Sequence, residues 1–202
     1  MSTVTPYPVS VGAELDPVLS RWLWLVKLVL IIPHLVVLVF LSVAVVIFTV
    51  VAFFAILFTG RYPRGIFDFN VGVLRWSWRV GYYSHSALGT DKYPPFSLKP
   101  ADYPATLEVE YPENLSRGRV LVKWILAIPH FLVVGVLQGG SGFGNGGLNG
   151  LLVVFAAVSL LFTGRYPRDI FDLVIGINRW TLRVAAYALL MRDEYPPFRL
   201  SP

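Results

Sequence analysis

The chain has 202 residues, of which 55% are hydrophobic and only 14% are charged, and its formal net charge is +5. Soluble domains are typically about a quarter charged, so this composition predicts a membrane protein rather than a soluble one. The absence of cysteine excludes disulfides, zinc–thiolate sites, iron–sulfur clusters and thiol nucleophiles. The basic residues lie near the ends of apolar runs, which favours membrane lipids over nucleic acid as a partner.

Three motifs recur in the same order along the chain. They are Ile-Pro-His at 32–34 and 128–130, Leu-Phe-Thr-Gly-Arg-Tyr-Pro-Arg at 57–64 and 161–168, and Tyr-Pro-Pro-Phe at 93–96 and 195–198. The offset between the copies is 96 residues for the first motif, 104 for the second and 102 for the third. The sequence therefore predicts two tandem units, residues 1–100 and 101–202.

Each unit begins with a short extended stretch, most clearly at 105–111, where apolar and polar residues alternate as in a half-exposed strand. We expect this strand to pair with a terminal strand formed by the Phe-x-Leu segment after each Pro-Pro, at 96–98 and 198–200. The product would be a small β-sheet outside the bilayer.

The apolar run 22–58 is too long for one membrane helix. Its 37 residues would reach roughly 55 Å as a straight helix, against about 30 Å of hydrocarbon. We therefore expect transmembrane helical hairpins over 20–58 and 118–162, which either span the membrane or re-enter it. In the second unit a glycine-rich loop within 138–150 marks the hairpin tip, and its role stays open.

Thr-Gly at 59–60 and 163–164 is typical of a helix end, and the following proline is typical of a new helix start. The segments 64–89 and 168–191 then carry a polar stripe with helical spacing. Its members are Asp68, Gly72, Arg75, Arg79 and Tyr83, with Asp172, Gly176, Arg179, Arg183 and Tyr187 in the second unit. These segments are predicted to be interfacial amphipathic helices, and the alternative is a third crossing in each unit.

Orientation follows from the arginines, which the predicted hairpins place on one side of the membrane. The positive-inside bias makes that side cytoplasmic, with both termini there, in a multi-pass protein of the cell membrane. An even number of crossings per unit predicts parallel repeats. The predicted fold class is thus a mainly α integral membrane protein of two parallel repeats.

The Thr-Gly-Arg-Tyr-Pro-Arg run, the Arg-Trp-x-x-Arg stretch and the terminal Tyr-Pro-Pro-Phe resemble a family of bacterial, largely actinobacterial, membrane proteins catalogued only as a domain of unknown function. The resemblance covers nearly the whole chain, in two copies. It implies a membrane location and no particular activity.

Arginine is the first candidate for function, because its planar fork binds two phosphate oxygens at once. Eight arginines are candidates for contact with lipid headgroups or an acidic partner, or else are only topological anchors. They are Arg61, Arg64, Arg75, Arg79, Arg165, Arg168, Arg179 and Arg183.

A second candidate set consists of ionisable residues inside the predicted membrane helices. Lys27 and His34 lie seven residues apart, hence on one helix face, and Lys123 and His130 repeat the pattern. The lysines are expected to reach toward the surface. The histidines either satisfy backbone freed by the adjacent prolines or meet between the units as a metal site, a proton relay or the axial ligands of a haem b.

The scarce carboxylates have no acid–base spacing, and no nucleophile or metalloprotease motif is present, so we expect neither an enzyme nor a catalytic metal. The leading hypothesis is a non-catalytic accessory or scaffold subunit of a larger envelope or transport complex, contacting anionic lipid. The alternatives are a lipid-binding or small-solute transport module with a site between the repeats, and a haem-binding redox subunit.

Overall fold

The structure, a computed structural model, describes residues 7–139 and 147–201. The described part of the first unit contains β1 (Val9–Ala13), α1 (Trp24–Leu30), α2 (Ile32–Thr59) and α3 (Arg64–Tyr83). That of the second unit contains β2 (Ala105–Val109), α4 (Arg119–Gln138), α5 (Leu148–Thr163) and α6 (Arg168–Ala188). The prediction of a mainly helical chain with one small sheet is confirmed.

The two strands pair with each other across the units. They are antiparallel, with equivalent residues Val11 and Leu107 opposite each other at the centre of the ladder. The predicted partners were wrong, because 96–98 and 198–200 form no strand in the described structure. Their carbonyl groups instead accept hydrogen bonds from arginine side chains of α3 and α6.

The predicted hairpin within 20–58 is wrong, because α2 runs without interruption over 28 residues. Its junction with α1 is a local break at Ile31, whose backbone keeps right-handed helical angles, so the chain does not turn back. The break has a simple cause, since Pro33 lacks the N–H that would continue the helical hydrogen bonds. The chain folds back later, between α2 and α3.

The second unit interrupts the same helix with a loop. At the offsets of 96 and 104 residues, Gly139 and Gly147 both align with Val43 inside α2. These two glycines lie in direct backbone contact, so the loop returns to the place where it left α4. Most of the predicted glycine loop, 140–146, lies outside the described residues. The start of α4 lies at the end of α6, where Trp124 donates to Ala188 O, whereas α5 ends next to the start of α6. Helices α4 and α5 therefore follow one another along α6, which indicates an eight-residue insertion in a helix rather than a hairpin tip.

The predicted helix ends after Thr-Gly are confirmed. Gly60 and Gly164 have φ angles of +73° and +71°, a left-handed conformation that glycine adopts without steric cost. Pro63 and Pro167 are the N-cap residues of α3 and α6.

Helices α3 and α6 form the interior of the fold. Of their large apolar residues in the described structure, only Leu173 is exposed. The predicted interfacial helices therefore exist but lack the exposed apolar face with which such a helix enters a membrane. One face of each is covered by the long helices, and β2 packs on α3 while β1 packs on α6.

The exposed apolar surface lies instead on α1, α2, α4 and α5. Phe40 is 72% exposed, Val46 63%, Leu132 68% and Phe155 61%. Helices α2 and α4 are long and apolar enough to cross a membrane, and α5 is apolar but shorter. The predicted membrane association is therefore supported at this coarse level.

The long helices of the two units run in opposite directions where they meet. The chain before α4 contacts the end of α2, since Leu115 N–H donates to Gly60 O. Further along α4, Trp124 stacks on Phe53, which lies before the end of α2. In the reciprocal contact, Arg21 before α1 lies against Gly164 at the end of α5. The predicted parallel orientation of the two units does not fit these contacts, because the equivalent helices of parallel repeats run in the same direction.

Candidate functional sites: two histidine cages, an arginine rim and a cleft between the units

The imidazole of His34 is enclosed in an aromatic cage within its own unit. The indole Nε1 of Trp76 donates to His34 Nδ1 at 3.0 Å, and Phe96 stacks on the ring with centroids 3.7 Å apart. Tyr93 covers another side at 5.0 Å. Since Nδ1 accepts a hydrogen bond, the ring carries its proton on Nε2. The Tyr-Pro-Pro-Phe motif is therefore the cover of the histidine.

The second unit repeats the cage with the same geometry. Trp180 Nε1 donates to His130 Nδ1 at 3.2 Å, and Phe198 stacks on the ring at 4.1 Å. Both histidines are 0% exposed. The two rings lie in separate cages built from separate residues, so the expected meeting of His34 and His130 on one haem or metal does not fit this structure. The described residues also hold no cluster of three or more metal-ligating side chains.

Each proline beside a histidine leaves one backbone carbonyl without its helical donor, that of Val29 or Ile125, and a tyrosine donates to the next carbonyl along the chain. The hydroxyl of Tyr93 donates to Leu30 O at 3.0 Å, one turn before Pro33. In the second unit Tyr195 donates to Leu126 O at 3.1 Å. The expectation that each histidine satisfies the freed carbonyl does not fit the structure, because Nδ1 accepts from tryptophan and Nε2 makes no hydrogen bond to that carbonyl.

Both lysines turn inward instead of reaching the surface. Lys27 is 2% exposed, and its Nζ lies 2.7 Å from Asp91 Oδ1 and donates to Thr90 O at 2.6 Å. Because burying a charge without a partner is costly, the aspartate fixes where the lysine can lie. The expectation of a surface-seeking lysine is therefore wrong.

In the second unit Lys123 is 0% exposed and lies 2.7 Å from Asp193 Oδ1. Each aspartate also accepts a backbone N–H from the chain before the long helix, Ser20 for Asp91 and Ser116 for Asp193. The sequence analysis missed these carboxylates. The available signal was that both precede Tyr-Pro-Pro-Phe by two residues, at the same offset of 102.

Four of the eight candidate arginines are structural. Arg79 is 1% exposed and donates to Ser97 O and Lys99 O, while Arg75 donates to Leu98 O at 3.1 Å and to Leu107 O at 3.0 Å. These bonds seat the chain after Tyr-Pro-Pro-Phe against α3 and join α3 to β2.

The second unit uses the equivalent pair in the same way. Arg183 is 3% exposed and donates to Ser201 O, and Arg179 donates to Leu200 O and to Val11 O in β1. The expectation that these four arginines contact headgroups does not fit their inward placement, because their guanidinium groups are used on backbone carbonyls.

The other four candidates are exposed at the ends of the long helices. Arg61 and Arg64 follow α2, and Arg165 and Arg168 follow α5. Arg117 lies beside Gly60 at the end of α2, as Arg21 does beside Gly164. We call these six residues the arginine rim: Arg21, Arg61, Arg64, Arg117, Arg165 and Arg168. Arg61 and Arg165 directly follow the C-terminal ends of α2 and α5, where the helix dipole is negative and favours cations, whereas Arg64 and Arg168 begin α3 and α6.

An open cleft of about 120 Å³ lies between the units. Trp24 and Leu28 of α1 form one wall, and Gly150, Val153, Val154 and Ala157 of α5 form the other. Ser84, His85 and Leu88, which follow α3, close its floor. Burial lowers the pKa of His85. The sequence analysis did not single out His85.

A family model described as a domain of unknown function, DUF4389, matches residues 21–97 and again residues 117–199. The chain belongs to the DUF4389 family. Each DUF4389 copy begins at the rim arginine before its long helix and includes the lysine, the histidine, the tryptophan and the Tyr-Pro-Pro-Phe cover. The two strands lie outside both matched regions. No curated protein and no solved structure matches the chain.

Proposed function

We propose that this DUF4389 protein is a non-catalytic subunit embedded in the bacterial cell membrane, where it packs beside a larger envelope or transport complex. The observation that carries the proposal is the apolar surface of α1, α2, α4 and α5. Its exposed residues follow the long helices from end to end, for example Leu25, Phe40 and Phe58 along the first. Contiguous apolar surface of this extent is favourable only against lipid or another protein.

The internal use of the polar groups supports a structural role. The two Lys–Asp pairs, the two histidine cages and the four inward arginines hold the fold together. The rim arginines are exposed basic residues at the ends of the long apolar helices, where a membrane presents anionic phosphate.

The chain beside α2, together with the rim, supports an orientation of the protein in the membrane. Tyr93 donates to Leu30 O just before α2, and Leu115 donates to Gly60 O just after it, so the chain between them spans the length of that helix. Apart from β2, which packs on α3, this chain is irregular. Lipid-exposed irregular backbone is unstable in hydrocarbon because its polar groups stay unpaired. We therefore propose that the long helices enter the bilayer by their apolar faces, with the sheet, the rim and both termini on the cytoplasmic side.

Cysteine labelling tests the orientation cleanly, because the native chain has no cysteine. Single substitutions Arg61→Cys and Arg165→Cys should both react with a membrane-impermeant maleimide from the cytoplasmic side only. Phe40→Cys should stay unlabelled until detergent is added. Labelling of the two rim positions from opposite sides would refute the orientation.

Affinity purification from native membranes in mild detergent tests the subunit proposal, and stoichiometric partners are the expected result. A clean monomer or homo-oligomer would refute it.

Lipid contact is tested by flotation with vesicles containing anionic lipid. Each basic residue near such a surface contributes about 1 kcal/mol, so Arg61→Gln with Arg165→Gln should weaken binding by about thirtyfold. The charge-matched control, Lys92→Gln with Lys99→Gln, should change it little, and equal effects would contradict a specific rim.

The second candidate function is a lipid-binding or small-solute module, and the cleft between the units favours it. Its lining is mostly apolar with a few polar groups, Ser84 and His85, which is the usual make-up of small-molecule sites. A deletion strain that loses uptake of one solute, or a defined lipid retained by the purified protein, is the expected result. Purified protein without any bound small molecule, from a strain with unchanged uptake, would contradict it.

A further inference from the structure

The cleft has an equivalent position in the other half of the molecule, and that position is filled. There Trp124 stacks on Phe53, with ring centroids 5.5 Å apart and planes 12° from parallel. The indole Nε1 of Trp124 donates to Ala188 O at 2.9 Å. At the offsets of the repeat, Leu28 stands in place of Trp124, and Ala157 in place of Phe53. The cleft is therefore the space that two stacked rings occupy on the opposite side, reduced by Trp24, which stands in place of Val120.

Other sequence differences between the two units also lie at the cleft. Gly150 lines the cleft where the first unit has Val46. Beside it, Asn149 and Asn178 both donate to Ser86 O, at 3.1 and 3.0 Å, where the first unit has two apolar residues. A duplicated helix pair would pack equally on both sides, so these concentrated changes indicate that one side has acquired a cavity with a polar edge.

His85 supplies a defined hydrogen-bonding atom at that edge. It lies in an insertion, since three residues separate Tyr83 from Ala87 but only one separates Tyr187 from Leu189. The Ser84 hydroxyl donates its only hydrogen to Val80 O at 2.7 Å, so the His85 Nδ1 at 3.1 Å must donate to Ser84 Oγ. The neutral ring then presents Nε2 as an acceptor, and no donor among the described residues reaches it.

We propose that the cleft binds a small, flat, membrane-soluble aromatic molecule that donates one hydrogen bond, of the phenol or indole type, to His85 Nε2. The ligand takes the place that the indole of Trp124 and the ring of Phe53 take in the other half. Burial keeps His85 in the neutral form that accepts this bond, because it lowers the pKa of the imidazole. The inference rests on the second proposed function and names its ligand class.

The surroundings of the cleft favour a ligand that arrives through the membrane. Leu28 and Val154 on its walls are 57% and 61% exposed, and they continue into the apolar surface of α1 and α5. A molecule dissolved in hydrocarbon therefore reaches the cleft sideways without crossing a polar layer.

The test compares two probes of nearly equal shape, 1-naphthol and 1-methoxynaphthalene, with the full chain in nanodiscs. Only naphthol can donate a hydrogen bond. Equilibrium dialysis should give one saturable naphthol per chain, bound about threefold to tenfold more tightly than the methyl ether. His85→Leu should bring the two affinities together, while leaving the affinity for the ether within about twofold.

Two variants fill the cleft with the residues of the opposite side. Ala157→Phe and Leu28→Trp act on different helices, and each should abolish saturable binding while unchanged near-ultraviolet circular dichroism shows that the fold survives. Equal uptake by the wild type and both filled variants would show partition into lipid alone and overturn the proposal. A naphthol preference that survives His85→Leu would overturn the role of His85. Uptake by the deletion strain and lipid retained by the purified protein are measured without naphthol, so the failure of this site and the failure of the second proposed function are distinguishable.

Discussion

The buried pair of Lys123 and Asp193 gives the sharpest test of how each unit is held together. Asp193→Asn removes the charge that lies 2.7 Å from the lysine Nζ, while Lys123 stays 0% exposed. Breaking a buried ion pair from one side costs about 3–5 kcal/mol, because the remaining charge has neither water nor a partner. For a chain of this length, about 2–4 °C of melting temperature is lost per kcal/mol. We therefore expect the melting temperature to fall by roughly 6–20 °C.

The structure supplies graded controls for this substitution. Asp91→Asn should cost less than Asp193→Asn, because Lys27 keeps its bond to Thr90 O at 2.6 Å. Asp68→Asn removes an exposed partner of Arg64, at 3.5 Å with both side chains more than half exposed, and should cost at most about 1 kcal/mol. The measurement is thermal unfolding of the purified protein in one detergent, followed by circular dichroism.

The loss of thermal stability should decrease in the order Asp193→Asn, Asp91→Asn, Asp68→Asn. A loss for Asp193→Asn no larger than that for Asp68→Asn would refute the claim that the pair is buried and structural. The double variant Lys123→Met with Asp193→Asn should recover part of the loss, because it removes the uncompensated charge.

Three further predictions follow from the cages, the apolar surface and the buried tyrosines. Trp180→Phe leaves the buried Nδ1 of His130 without its donor and should lower the free energy of unfolding by about 1–3 kcal/mol in chemical denaturation. Phe40→Asp places a charge on the exposed face of α2 and should make membrane insertion less favourable by about 2.5–3.5 kcal/mol. The inserted fraction in a translation assay should therefore fall. Val18, which is 83% exposed before α1, is the control, and Val18→Asp should leave that fraction unchanged. Burial raises the pKa of Tyr62 from 10.0 to about 12, so the unfolded chain loses this proton first and stability falls as pH rises from about 10 to 12. Tyr62→Phe should make that fall shallower by up to about 1.4 kcal/mol per pH unit.

Each of these has an outcome that would contradict it. A loss below about 0.5 kcal/mol for Trp180→Phe would mean that the indole–imidazole bond is not structural. Equal insertion of the Phe40 and Val18 variants would mean that the exposed face of α2 does not enter lipid. An unchanged alkaline slope in the Tyr62 variant would mean that this hydroxyl ionises as it does in the unfolded chain.

The sequence by itself determined the duplication, the helical class, the Thr-Gly helix ends and the strand at residues 105–109. Each of these depends on local pattern, such as periodicity, a left-handed glycine or matched motifs at fixed offsets. Position in the chain could not tell whether the polar stripe of α3 faces out or in. The sequence predicts Arg79 to be a surface anchor, whereas in the fold its guanidinium group donates to Ser97 O.

Only the tertiary structure decided which partners these residues meet. The long apolar run predicts a hairpin because its length exceeds a bilayer, yet α2 continues without interruption over its 28 residues and the helix ends at Gly60. Lys27 meets Asp91 across 64 positions of chain, and Trp124 meets Phe53 across 71, pairings that no local pattern encodes. The cleft exists because smaller residues replace those two rings on the other side. The replacement leaves a space only where the two folded units pack against each other.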